Sequence, residues 1–146
     1  MIYEFNLIRN KVSDEVFPPL VTPKAVYDYA KKYLYNDEES WREKCYAIFT
    51  GPDNTPKGHF LVSMGVDNAC LLHPRTVIEA ALLAHATKVV IVHNHPSGNC
   101  LPGQKDIEQT GKLKRALDCF DITLLDHVII AEKSFFSFSD EKKYNA

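Results

Sequence analysis

Two histidines, His93 and His95, stand one residue apart at the end of the apolar run VVIVHNH, and Asp106 follows after the loop PSGNCLPG. Alternate side chains of a strand share a face, so the two imidazoles point one way and Asn94 the other. Their Cβ atoms then lie about 7 Å apart by the strand rise, close enough to converge on one ion. Neutral imidazole is the commonest metal ligand. The competing reading of an isolated His-x-His is a polar pair where a strand leaves the core.

The segment after the loop bears on that choice. At 100° per residue, Asp106, Thr110, Leu113, Leu117 and Phe120 fall in one row, the buried stripe of an amphipathic helix. Asp106 is therefore expected in the first turn, facing the core, where an ionised carboxylate is costly unless paired, hydrogen-bonded or on a metal. The helix dipole favours it there by about 0.3–1 kcal/mol. Capping alone would explain an aspartate, but not two aligned histidines beside it. Two histidines and one aspartate, with a fourth position for water, form the layout of a catalytic zinc site. Another divalent ion suits the same set.

Such a site also needs a carboxylate to move protons. Glu43 is the candidate, because in EKCYAIF it shares the apolar face with Cys45, Ala47 and Phe49 at a strand's entry. A solvated strand-end glutamate is the plainer alternative. Glu79 is the rival base, although its simpler reading is a charged residue on a surface helix.

These residues require particular elements around them. IYEFNLIR, residues 2–9, is expected as a strand, followed by the connector VFPPLVTP. Thr22 and Pro23 predict a helix start, running to about Leu34. EKCYAIFT and HFLVSMG read as paired strands across the turn GPDNTPKG, and HPRTVIEAALLAHA as a helix. KVVIVHNH reads as a strand buried on both faces. A helix follows from Gly103 to about Phe120, then a hairpin of ITLLDHVIIA and SFFSFS about Glu132 and Lys133. The order β-β-α-β-α-β-β predicts an α/β fold with a mixed central sheet flanked by helices. In domain terms, residues 1–40 are an extension of strand plus helix packing on a domain of residues 41–146.

At 146 residues, 45% hydrophobic and 25% charged, the chain suits one globular core. No apolar run is long enough to cross a membrane, and the N-terminal residues lack a signal-peptide layout. The net charge of −2 and pI near 6.3 argue against a nucleic-acid footprint. Cys45, Cys70, Cys100 and Cys119 form no C-x-x-C pair, so reduced thiols and a cytoplasmic location are expected.

The pattern resembles the JAMM (JAB1/MPN+) zinc metalloprotease superfamily, and within it the RadC-like proteins. That superfamily carries a distant upstream Glu, then H-x-H, ten residues and D, which His93, His95 and Asp106 match. The RadC-like version also matches at HPR (His73–Arg75), VHNHPSGN, LLDHVII (Leu124–Ile130) and SFFSFSDE, and Arg42-Glu43 falls where those proteins carry R-E. The likeness is close over about residues 40–140 and weaker before them. It implies a JAMM/MPN-like (cytidine-deaminase-like) fold, zinc on His93, His95, Asp106 and a water, and Glu43 as general base. It further implies hydrolysis of peptide or isopeptide bonds, and the RadC-like group carries an inherited DNA-repair label.

One position departs from the pattern. The superfamily places serine three residues before the aspartate, where its hydroxyl helps to stabilise the tetrahedral intermediate; here Gly103 stands in that place. Losing one such donor typically costs about 10²–10³ in rate. Zinc binding should survive, so a weakly active enzyme or a metal-bearing interaction module remains open, with Ser97 the nearest hydroxyl in sequence. His127 in LLDHVII is open between supporting a metal ligand, with Asp126 orienting it, and a structural role. His59, His73 and His85 read as packing or surface residues, Cys100 as a remote further ligand, and Lys112, Lys114 and Arg115 as a solvated helix face. H-N-H is not an HNH nuclease motif, whose residues lie far apart, and about fifty residues after His95 are too few for a barrel phosphoesterase.

Overall fold

A computed structural model describes residues 1–6, 8–36, 42–65 and 72–146. Among them the chain forms α1 (Pro23–Tyr33), β1 (Lys44–Thr50), β2 (Pro56–Met64), α2 (Pro74–Leu83), β3 (Lys88–Asn94), α3 (Gln104–Asp118), β4 (Thr123–Ile130), β5 (Ser134–Ser137) and β6 (Lys142–Asn145). The strands make one mixed sheet in the order β2-β1-β3-β4-β5-β6. Only β3 and β4 run parallel, and a parallel pair needs a crossover, which α3 supplies. The result is the α/β architecture with flanking helices that the sequence predicts, consistent with a JAB/MPN-like fold.

The β-branched run of β3 is central because both its faces are covered. Val90 and Val92 pack beneath α1 with Val26, Ala30, Val128 and Phe135. Val89 and Ile91 pack on the other face with Val77 and Ala81 of α2 and Leu113 and Leu117 of α3. Burying each such side chain contributes about 1.5–3 kcal/mol. The alternation puts His93 on the α3 face and Asn94 on the α1 face. At α1, Thr22 accepts the Ala25 N–H at 3.2 Å, and Pro23 opens the helix as expected.

Three features differ from expectation. The strand expected over residues 2–9 does not form among its described residues, and Ile2, Phe5 and Ile8 are exposed. Strand propensity cannot offset backbone entropy without a paired edge, and contacts with the sheet and α1 come later: Glu15 pairs with Lys32, Phe17 packs edge-on to Tyr29, and Leu20 donates to the Asn54 carbonyl at 2.8 Å. The helix row ends early, since α3 stops at Asp118 and Phe120, beyond it, is half exposed. The short polar strand β6 was not expected; it is held by pairing with β5.

Asp126 is not a ligand-orienting residue. It lies on the opposite face of β4 from His127, accepting from Ser137 Oγ and from the amides of Ser139 and His127. Burial raises its pKa, and these three donors only partly offset that. A carboxylate raised in the folded state contributes stability below its unfolded value of about 3.9 and loses it as pH rises through the folded value. Asparagine does not ionise. Thermal melts of Asp126→Asn against the native protein should therefore move in the variant's favour as pH rises from acid to neutral. A difference in melting temperature that stays constant with pH would contradict this.

Candidate metal centre

The carboxyl end of β3 and the start of α3 meet above the sheet. His93 is nearly fully buried, at 3% exposure. His95 lies just past β3, but its N–H donates to the Ile130 carbonyl at 2.8 Å, so the backbone stays extended and both rings face one side. Gly98 takes a φ of +88°, a left-handed turn that suits glycine, and reverses the chain. The loop then returns the Asn99 carbonyl to His95 Nδ1 at 2.8 Å. Gly103 caps α3 in extended backbone and donates its N–H to Asp106 Oδ2 at 2.8 Å. This anchors the carboxylate in the first turn.

These side chains converge. His93 Nε2 and His95 Nε2 stand 3.0 Å apart. Asp106 Oδ1 lies 3.3 Å from the first and Oδ2 lies 3.5 Å from the second. Glu43 precedes β1 by one residue and is 8% exposed; its Oε1 is 3.9 Å from His93 Nε2. Glu43, His93 and His95 offer donor atoms within 4.8 Å of one another, but Asp106 stands closer to both imidazoles than Glu43 does to His93. That ordering suits Asp106 as the third ligand, with Glu43 beside the ligand set. Beneath it a cavity of about 10 Å³, the scale of one water, is lined by Cys45, Leu72, His93, Asp106, Gln109 and His127.

The electrostatics fit a cation. Burial pushes the Asp106 carboxyl up, but the neighbouring His93 and His95 imidazoles and the Gly103 amide hold it far below the usual carboxylate range. Burial opposes charging of His95, yet Asp106, the Asn99 carbonyl and Glu43 outweigh it and raise its pKa. Two unprotonated imidazole nitrogens 3.0 Å apart repel, so a proton or a metal belongs between them. Nitrogens bound to one tetrahedral zinc at 2.0–2.1 Å are about 3.3 Å apart. The donors present thus fit zinc in type and in spacing.

Other residues occupy plainer positions. Glu79 is exposed and pairs with Arg75 at 2.7 Å on α2, away from the centre. Cys100 is fully buried against Ile129, Ala131, Phe136 and Phe138, an apolar site that removes it from the ligand set. Ser97 Oγ accepts the Asn99 amide at 3.4 Å within the loop. His59 bonds Tyr29 at 2.9 Å, His73 caps α2 by its backbone alone, and His85 takes a left-handed φ of 53° after α2. Cys45, Cys100 and Cys119 form no disulfide, while Cys70 lies outside the described residues.

Two contributors escaped the sequence reading. Asn94 Oδ1 accepts the Lys44 N–H at 2.7 Å and its Nδ2 donates to the Arg42 carbonyl at 2.8 Å, gripping the backbone on both sides of Glu43. Its position inside His-x-His, pointing away from the two imidazoles, was the available clue. Thr110, read only as part of a buried stripe, bonds His127 Nδ1 at 2.6 Å, and His127 Nε2 lies 2.6 Å from His93 Nδ1. His127 thus touches His93 directly, without Asp126.

A family model described as the RadC-like JAB domain matches residues 20–144. The chain belongs to the RadC-like JAB-domain family. The matched span of this RadC-like chain includes Glu43, His93, His95, Gly103 and Asp106. UPF0758 proteins are among its relatives. The one from Chlorobaculum tepidum is 36% identical over 115 residues, covering 79% of this chain and 50% of the relative. Those from Thermotoga maritima and Methanosarcina acetivorans are 34% and 37% identical, covering 80% and 84% of this chain and 50% and 52% of the relatives. The chain spans about half the length of these curated relatives.

Proposed function

We propose that this RadC-like domain is a zinc-dependent hydrolase of peptide or isopeptide bonds, with His93, His95 and Asp106 as metal ligands and Glu43 as general base. The observation that carries the reading is the pair of imidazole nitrogens 3.0 Å apart with the Asp106 carboxylate across both. Zinc bound there supplies Lewis acidity, lowering the pKa of a bound water to about 7 and polarising a carbonyl.

The chain's own groups do the rest. Glu43 takes a proton from the attacking water and gives it to the leaving nitrogen as the C–N bond breaks. The Asn94 amide holds the backbone that carries Glu43 in register with β3. Asp106, anchored by the Gly103 amide, balances the charge of the site. A net charge of −2 supports an amide substrate over nucleic acid. No helix among the described residues is long and apolar enough to cross a membrane, and thiols outside disulfides suit a reducing cytoplasm.

Gly103 supports a second reading. Without the serine hydroxyl the domain is a metal-bearing interaction module with little hydrolytic power. The test is zinc-loaded protein incubated with a library of peptides and isopeptide-linked conjugates, with products read by mass spectrometry. The hydrolase reading expects cleavage that a chelator abolishes and zinc restores. Absence of cleavage by fully zinc-loaded protein would overturn it and leave the module.

A further inference from the structure

We propose that Thr110 and His127 are positioning residues that set the tautomer of His93, so that its Nε2 lone pair faces the metal centre; this rests on the zinc reading above. Thr110 Oγ has one proton and two short contacts, to the Asp106 carbonyl at 2.6 Å and to His127 Nδ1 at 2.6 Å. A carbonyl only accepts, so the hydroxyl proton goes to Asp106, the usual bond of a helical threonine to the carbonyl four residues back. The hydroxyl oxygen must then accept a proton from His127 Nδ1.

The remaining assignments follow in sequence. His127 is 2% exposed, stacked on Phe138 with ring centroids 4.6 Å apart, and has no carboxylate on either ring nitrogen, so it is neutral. With its proton on Nδ1, its Nε2 is an acceptor, and His93 Nδ1 at 2.6 Å must donate to it. With its Nδ1 proton committed to His127, His93 keeps Nε2 for the metal, the atom that faces His95 and Asp106. Metal-bound histidines usually donate their second N–H to a carboxylate, a carbonyl or water. Here an imidazole takes that place, and the chain of bonds ends on the backbone of Asp106. One hydroxyl proton thereby ties the orientation of the first ligand to the helix turn that carries the third.

The opposite chain satisfies the three side chains but leaves the Asp106 carbonyl without a hydroxyl donor. Thr110 donating to His127 would reverse every bond and place a proton on His93 Nε2, where a metal must bind, while leaving two oxygens 2.6 Å apart without a proton between them. Long-range ¹H–¹⁵N spectra of the metal-free protein distinguish the two, because they report which nitrogen of each histidine carries hydrogen. Zinc affinity is measured alongside by competition with a chromophoric chelator. The expected result is His93 protonated on Nδ1 in the native protein. Thr110→Val should shift it toward Nε2 protonation and weaken zinc binding by about 10–100-fold, and Thr110→Ser should restore both. Native His93 protonated on Nε2 would overturn the relay, whether or not the variants fold, and so would folded Thr110→Val with native tautomer and affinity. Native protein with the expected tautomer but no affinity for zinc would instead overturn the metal reading and leave the relay standing.

Discussion

Glu43→Gln should leave the zinc content at the native level and lower amide hydrolysis by about 10²–10⁴-fold, the usual contribution of a positioned general base. Glutamine keeps the shape of the side chain and loses the ability to take a proton. Its backbone setting should persist, because Asn94 bonds the carbonyl of Arg42 and the amide of Lys44 rather than Glu43 itself. Glu43 Oε1 stands 3.9 Å from His93 Nε2, farther than either closest approach of Asp106 to an imidazole. The distances therefore favour Asp106 as the ligand and Glu43 as the base. Metal analysis and turnover on the same preparation check both halves. Unchanged turnover would remove Glu43 from the mechanism, and loss of zinc would make it a ligand in place of a base.

Gly103→Ser should raise hydrolysis by up to about 10²–10³-fold by returning a hydroxyl to the transition-state oxyanion. The backbone accepts the change: φ is −84° and ψ 170° at this position, an extended conformation open to any L-residue. A Cβ built there would meet Asp106 Oδ2 at 3.6 Å, an ordinary contact. Serine is also a slightly better N-cap than glycine, by a few tenths of a kcal/mol, so stability should hold or rise. Turnover by the variant and native proteins at equal zinc loading, with a thermal melt of each, tests this. A variant that folds, binds zinc and is no faster would show that the missing hydroxyl is not what limits the chain.

Much of the fold is legible because it is written in local patterns. The β-branched run of β3, the apolar row of α3 and the Thr22-Pro23 start of α1 each follow from side-chain period or capping chemistry. The convergence of His93, His95 and Asp106 is legible for a related reason: a strand fixes the first two on one face, and a helix stripe fixes the third. What failed depends on partners distant in the chain. The described residues among 2–9 have strand propensity but pair with no strand, while β6 has little propensity but finds β5. The contact of His127 with His93 follows from the parallel register of β3 and β4, which pairs Ile91 with His127 after an irregularity at Val89 and Val90. No local pattern encodes that shift. The hold of Asn94 on the Glu43 backbone likewise exists only once β1 and β3 are paired, with Cys45 opposite His93.

The hydrolase reading requires that His93, His95 and Asp106 hold a metal ion. Its most direct test is metal analysis of the purified native protein after exposure to zinc and removal of excess, beside His95→Ala treated in the same way. The expected result is one zinc per native chain and a loss of most of it in the variant. Native protein that retains no zinc, or a folded His95→Ala that retains as much as the native chain, would contradict the account.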